Sequence, residues 1–159
     1  MYRILVFSDT HKKLDCVIKT VENIVDVDLI LHAGDHAADA EEIAKIFPNM
    51  PLKFVGGNCD FGNYPKELII EAENKKIFLT HGHSYAVKYD YDYDTIFNRG
   101  KALSCDCIVF GHTHLPLCEV RHGITLLNPG SAKSSYTYGV IEIENGNLKA
   151  AVCPLLFNI

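Results

Sequence analysis

The chain has 159 residues, of which 48% are hydrophobic and 22% charged, and a formal net charge of −5. That size and mix suit one globular domain, and they exclude a disordered polyelectrolyte, a fibrous repeat and strong, sequence-independent binding of nucleic acid through positive charge. No apolar run approaches the ~20 residues of a membrane span, and the six cysteines are too scattered for a secreted disulfide scaffold. The expectation is a single cytoplasmic domain over residues 1–159 with reduced thiols and no membrane partner.

In chain order, Arg3 to Phe7 is a short β-rich run ending in Ser8-Asp9-Thr10-His11, and a helical pattern follows through Leu14, Val17, Ile18, Val21, Ile24 and Val25. The unit repeats as the run Leu29 to His32, the loop Ala33-Gly34-Asp35-His36, and a helix carrying Ala40, Ile43, Ala44 and Phe47. A third strand, Lys53-Phe54-Val55, leads into Gly56-Gly57-Asn58-Cys59-Asp60. Residues 67–80 read as a hairpin turning at Asn74-Lys75, which delivers His81 at its end.

Tyr85, Tyr89, Tyr91 and Tyr93 then interleave with Asp90, Asp92 and Asp94. A solvated loop with a helix N-cap at Asp92 or Asp94 accounts for this composition. A cover over the active site, with rings that stack on a nucleoside or aryl group, is the sharper alternative. Thr95 to Leu103 is predicted helical, and Cys107 to Phe110 a buried strand ending in Gly111-His112-Thr113-His114. Ile124 to Leu127 precedes Asn128-Pro129-Gly130, and a last hairpin turns at Asn145-Gly146-Asn147. Cys105 and Cys107 are two apart at a strand entry and are expected to share a face as packing residues.

One loop histidine says little, but Asp9-x-His11, Gly34-Asp35, Gly57-Asn58, His81-Gly82-His83 and His112-x-His114 all follow apolar strands. In open α/β sheets such loops converge beyond the carboxyl ends of the strands. Imidazole and carboxylate donors suit divalent first-row metals, and the chain has no Cys-rich knuckle for a closed structural zinc. A shared carboxylate can hold two cations roughly 3.5–4 Å apart over one phosphoryl group. Asp35, alone after its strand, is the natural bridge.

With Gly34-Asp35-His36, Gly57-Asn58-x-Asp60 and Asn128-Pro129-Gly130-Ser131 added, the ordered motifs resemble the signature of calcineurin-like metallophosphoesterases, in particular their small prokaryotic phosphodiesterase branch. The resemblance implies an α/β fold in four layers, α/β/β/α, with two mixed β-sheets between helices. It implies one metal held by Asp9, His11, Asp35 and His114 and a second by Asp35, Asn58, His81 and His112. The metals would be two divalent ions, Mn²⁺ first, with Ni²⁺, Fe²⁺, Zn²⁺ and Mg²⁺ as alternatives. Hydrolysis of a small phosphate ester, a diester first and a monoester second, would proceed by attack of a metal-bridging hydroxide, with Asn58, Asp35 and His83 as catalytic residues.

The chain departs from many larger members of that family in placing Cys59 where they have a histidine, which leaves His83, Asp60 or no protein acid to serve the leaving group. Cys59 itself is read as a packing residue, and His36 stays outside the metal set. The loop at Asn128 is assigned structural support, while Ala132-Lys133-Ser134-Ser135 puts a phosphate clamp there in doubt. A non-catalytic scaffold on the same fold, as in a retromer subunit, predicts eroded ligands, which this sequence does not have. A homo-oligomer through the Tyr-rich segment stays open.

Overall fold

The computed structural model describes residues 1–157, so the last two residues of the expected 1–159 domain lie outside the described part. Ten strands form two five-stranded sheets. The first sheet is built from β1 (Tyr2–Phe7), β2 (Leu29–His32), β3 (Leu52–Phe54), β9 (Thr137–Glu144) and β10 (Asn147–Pro154), in the order β10-β9-β1-β2-β3. The second contains β4 (Glu67–Ala72), β5 (Lys75–Thr80), β6 (Cys107–Val109), β7 (Leu117–Arg121) and β8 (Ile124–Asn128), in the order β4-β5-β6-β8-β7. Both sheets are mixed: β1, β2 and β3 pair in parallel, as do β5, β6 and β8, while β9 pairs antiparallel with β1 and β10, β4 with β5, and β7 with β8.

Strand alternation explains the layering. Along β1, Ile4 and Val6 face the second sheet and meet Ile77, Leu79, Cys107 and Val109, whereas Leu5 and Phe7 face outward. That outward face is covered by α1 (Leu14–Asn23) and α2 (Ala37–Ile46) through Val17, Val21 and Ile43. On the far side, α3 (Asp94–Ala102) lays Ile96 and Phe97 over Phe78, Ile108 and Leu126 of the second sheet. The result is the expected α/β/β/α sandwich.

Four local readings change, the first being the β4–β5 hairpin, which turns at Glu73-Asn74 and not Asn74-Lys75 because Lys75 already pairs with Ala72. The helix α3 is not capped by Asp92 or Asp94: Asp90 Oδ2 accepts the Thr95 N–H at 2.7 Å, because Tyr93 turns the chain through a left-handed conformation just before the helix. Cys105 and Cys107 do not share a face, since Cys105 precedes β6 and packs on the α3 side while Cys107 lies between the sheets. Finally α1 stops at Asn23, two residues short of Val25, because Ile24 is already extended.

Candidate metal centre

The polar loops after β1, β2, β3, β5 and β6 gather at one edge of the sandwich, at the carboxyl ends of those strands. Asp9, His11, Asp35, His112 and His114 all adopt positive φ, between 44° and 67°. Side chains in that region cost on the order of 1 kcal/mol each, and such strain clusters where geometry matters more than stability. Two glycines make the close packing feasible: a Cβ on Gly57 would overlap Asp35 Oδ1, and one on Gly111 would overlap Ser8 Oγ and press on Asp9.

Asp9 is fully buried and held from several directions. Its Oδ2 accepts Ser8 Oγ–H at 2.6 Å and the His112 N–H at 3.1 Å, and its Oδ1 lies 3.1 Å from His114 Nε2. Asp35 Oδ1 accepts the Cys59 N–H at 3.0 Å and sits 3.4 Å from His81 Nε2. Burial opposes ionisation of Asp35, but the His81 contact and the Cys59 N–H outweigh it and hold the carboxyl well below the usual carboxylate range. The same pairing works on His81: burial would lower its proton affinity, and Asp35 and Asp9 raise it instead.

His81 supplies the test of what the centre accepts. Its Nδ1 lies 2.8 Å from the Ala33 carbonyl oxygen, which can only accept, so Nδ1 carries the proton. Its Nε2 then faces three oxygens, Asn58 Oδ1 at 3.1 Å, Asp35 Oδ1 at 3.4 Å and Asp9 Oδ1 at 3.9 Å. Lone pairs turned on one another in a buried site require a cation or a proton between them. His11 Nε2, His83 Nδ1 and His112 Nδ1 are buried with no hydrogen-bond partner among the described residues, which leaves their nitrogens available as ligands. Burial is the first cause of the lowered proton affinity of His11, His83 and His112, and it pushes His112 down to about 4.

Among the described residues two groups offer ligand atoms mutually within 4.8 Å, Asp9 with His11 and His114, and Asp35 with His81 and His112. The Asp9–His81 and Asp35–His81 contacts join them into one centre. Asn58 is brought to it through His81, and His83 flanks it, its ring centroid 5.4 Å from that of His81. The donor set is carboxylate, imidazole and amide, which fits divalent cations of the first-row class.

Of the residues that support the ligands, Asn128 and Ser131 belong to the loop assigned structural support, whereas Ser134 and His32 had no such signal in the sequence. Ser134 Oγ lies 3.2 Å from His114 Nδ1, and Ser131 Oγ donates to the Asp9 carbonyl at 2.8 Å. His32 lies beneath the carboxylate loops, its Nδ1 accepting the Gly34 N–H at 3.2 Å and its Nε2 3.0 Å from Thr10 Oγ1, which donates to Asp39 at 2.6 Å. Asn128 Nδ2 donates to the Gly111 carbonyl and to Thr113 Oγ1, each at 3.0 Å, which fixes the His112-x-His114 loop.

Two candidates change role. Asp60 accepts the Ala37 and Gly57 N–H groups, both at 2.7 Å, and so caps α2 and braces the Asn58 loop instead of facing a leaving group. Cys59 is exposed and not a packing residue; partial burial and then the Asp35 carboxylate push its thiol up, so it stays protonated at neutral pH. His36 contributes only a ring edge, 4.7 Å from His11.

Known proteins are similar to this chain in sequence and fold. The profile of the calcineurin-like phosphoesterase superfamily domain matches residues 2–146. The probable metallophosphoesterase YsnB of Bacillus subtilis is 33% identical over 151 residues, covering 89% of this chain and 85% of its own. The phosphodiesterase MJ0936 of Methanocaldococcus jannaschii is 24% identical over 173 residues, covering 94% and 98%. A crystal structure of a predicted phosphoesterase from Streptococcus pneumoniae superposes with a TM-score of 0.75 at 25% identity, over 96% of this chain and 89% of that one. Sequence match, sandwich and clustered ligands agree, and the chain belongs to the calcineurin-like phosphoesterase superfamily.

Proposed function

We propose that this chain is a single-domain phosphodiesterase working with two divalent cations, Mn²⁺ first, on a small phosphate ester in the cytoplasm. Asp9, His11, Asp35 and His114 would hold one cation, and Asp35, Asn58, His81 and His112 the other. The observation that carries this reading is His81 Nε2 facing three oxygens beside the partnerless nitrogens of His11 and His112. Bound there, such a pair would supply polarisation of a phosphoryl oxygen and a water acidic enough to serve as a nucleophile near neutral pH.

The chain's own residues do the orienting. Ala33 O and Ser134 Oγ fix the rings of His81 and His114, so that their Nε2 atoms point into the centre. The amide of Asn58 has an NH₂ that can donate to a phosphate oxygen while its Oδ1 faces the metal side. His83, whose buried Nδ1 has no partner among the described residues, is the remaining group for contact with the ester. Asp60 and Cys59 carry no proton to the leaving group in this account. A diester is preferred over a monoester because a similar relative across nearly the whole chain is named a phosphodiesterase.

The test is hydrolysis of bis(p-nitrophenyl) phosphate and p-nitrophenyl phosphate by metal-stripped protein, before and after adding Mn²⁺, Ni²⁺, Zn²⁺ or Mg²⁺. Metal-restored turnover favouring the diester is expected. Monoester preference would keep the chemistry and change the substrate class, and silence with every metal would favour a non-catalytic scaffold.

A further inference from the structure

Two concavities flank the candidate metal centre, and they differ in size and chemistry. One is a recess of about 40 Å³ that includes Gly57, Tyr64, Lys66 and His83. The other is an open groove of about 500 Å³ between the Tyr-rich loop and the histidine loop after β6, lined by Lys88, Tyr89, Tyr91, Tyr93, Thr113 and Leu115. Thr113 lines the groove and stands between His112 and His114 in the chain, so the groove adjoins the loop that carries two of the candidate ligands.

Tyr91 is 95% exposed, Tyr89 90% and Leu115 63%, an apolar grouping that a water-facing surface has no reason to assemble beside a polar site. The groove is already formed. Tyr89 and Asp90 N–H groups donate to the Ala86 carbonyl, the Tyr93 N–H to Asp90 O, and the Tyr93 ring packs 5.2 Å from Phe110. On the opposite wall the Leu115 N–H donates to Thr113 Oγ1 at 3.1 Å.

Resting on the phosphodiesterase reading, we infer that this groove binds a flat, uncharged aromatic substituent of the diester, the ring of a nucleoside or of an aryl alcohol, while the small recess receives the other side of the phosphate. The dimensions fit, since small-molecule sites span roughly 300–1,000 Å³. The charge pattern excludes a longer nucleic acid: Asp90 lines the groove, Asp92 follows Tyr91, and the chain carries a net charge of −5, so further phosphates are repelled. Lys88 offers one positive group, enough for a single phosphate.

The double variant Tyr91→Ser/Leu115→Ser removes exposed side chains and leaves every buried contact in place, which an unchanged melting temperature will verify. In protein loaded with Mn²⁺, the variant is expected to raise KM for bis(p-nitrophenyl) phosphate about ten-fold, in line with the worth of a stacked ring. The kcat stays unchanged, and so do both constants for the aliphatic diester glycerophosphoethanolamine. In protein loaded with diamagnetic Zn²⁺, saturation-transfer NMR should show adenosine or benzyl alcohol contacting the wild type and not the variant, and the ring that responds identifies the source.

An equal rise in KM for both diesters, no saturation of either ring, or a concentration-dependent dimer that buries Tyr91 would overturn the inference. If no ester is hydrolysed with any metal, the phosphodiesterase reading fails. Ring binding lost in the variant would still establish the groove, and its absence would sink the groove as well.

Discussion

The loops that follow β1 and β2 hold carboxylates whose oxygens are already engaged, whereas the loops that follow β5 and β6 hold imidazoles with nitrogens left open. Asp9 Oδ2 and Asp35 Oδ1 accept backbone N–H groups from His112 and Cys59, but His83 Nδ1 and His112 Nδ1 meet no partner among the described residues. The first sheet therefore delivers the fixed negative charge together with the open His11 Nε2, and the second delivers two of the three partnerless nitrogens among the described residues. A cation needs both.

The largest effect should come from breaking the carboxylate half. Asp35→Ala removes the one group adjoining His81, His112 and the Asn58 loop, and metal-dependent turnover is expected to fall by about 10³-fold or more. Far-UV circular dichroism should be retained, because Asp35 contributes nothing to the three apolar clusters. Normal turnover in the purified variant would refute the assignment.

A second test separates the halves by pH. Burial pushes His32 down to about 4 in the folded chain, against roughly 6.5 when unfolded, so the unfolded state takes up the proton first as the solution is acidified. The stability associated with the neutral ring is complete above about pH 6.5, falls as pH drops, and is lost by about pH 4, a total of about 3 kcal/mol. His11, His83 and His112 act in the same direction, so the comparison is between wild type and His32→Gln in urea titrations from pH 7 to pH 4. A flatter profile in the variant is expected. Parallel profiles would mean that the ring tying Gly34 to Thr10 does not govern the carboxylate loops.

A smaller effect belongs to the imidazole half. Ser134→Ala frees the His114 ring from its partner on Nδ1, and a loss of about 10-fold in metal affinity is expected by calorimetry, the lower end for an outer partner. No change would show that His114 is oriented by Asp9 alone.

Much of this was legible in the sequence because it is local. Each strand, turn and ligand loop is written within about ten residues, and the spacing of apolar runs before Asp9, Asp35, Asn58, His81 and His112 locates the site edge. What the sequence hid depends on contacts between distant segments. Ser134 reaches His114 across 20 positions, and Asp60 reaches Ala37 across 23, with no periodicity to mark either. The cap on α3 lay in Asp90 instead of the nearer Asp92 or Asp94 because Tyr93 turns left-handed, a conformation that side-chain pattern does not encode. Cys105 was assigned to the wrong face because the strand begins two residues later than a simple alternation assumes.

On the proposed function, the two ligand groups would hold two cations in one centre. Equilibrium dialysis of metal-stripped protein against Mn²⁺ tests it most directly, with wild type beside His112→Ala and His114→Ala. The account predicts two tightly bound ions per chain in the wild type and weakened occupancy of a single, different site in each variant. One ion per chain in the wild type, or full occupancy in both variants, would contradict it.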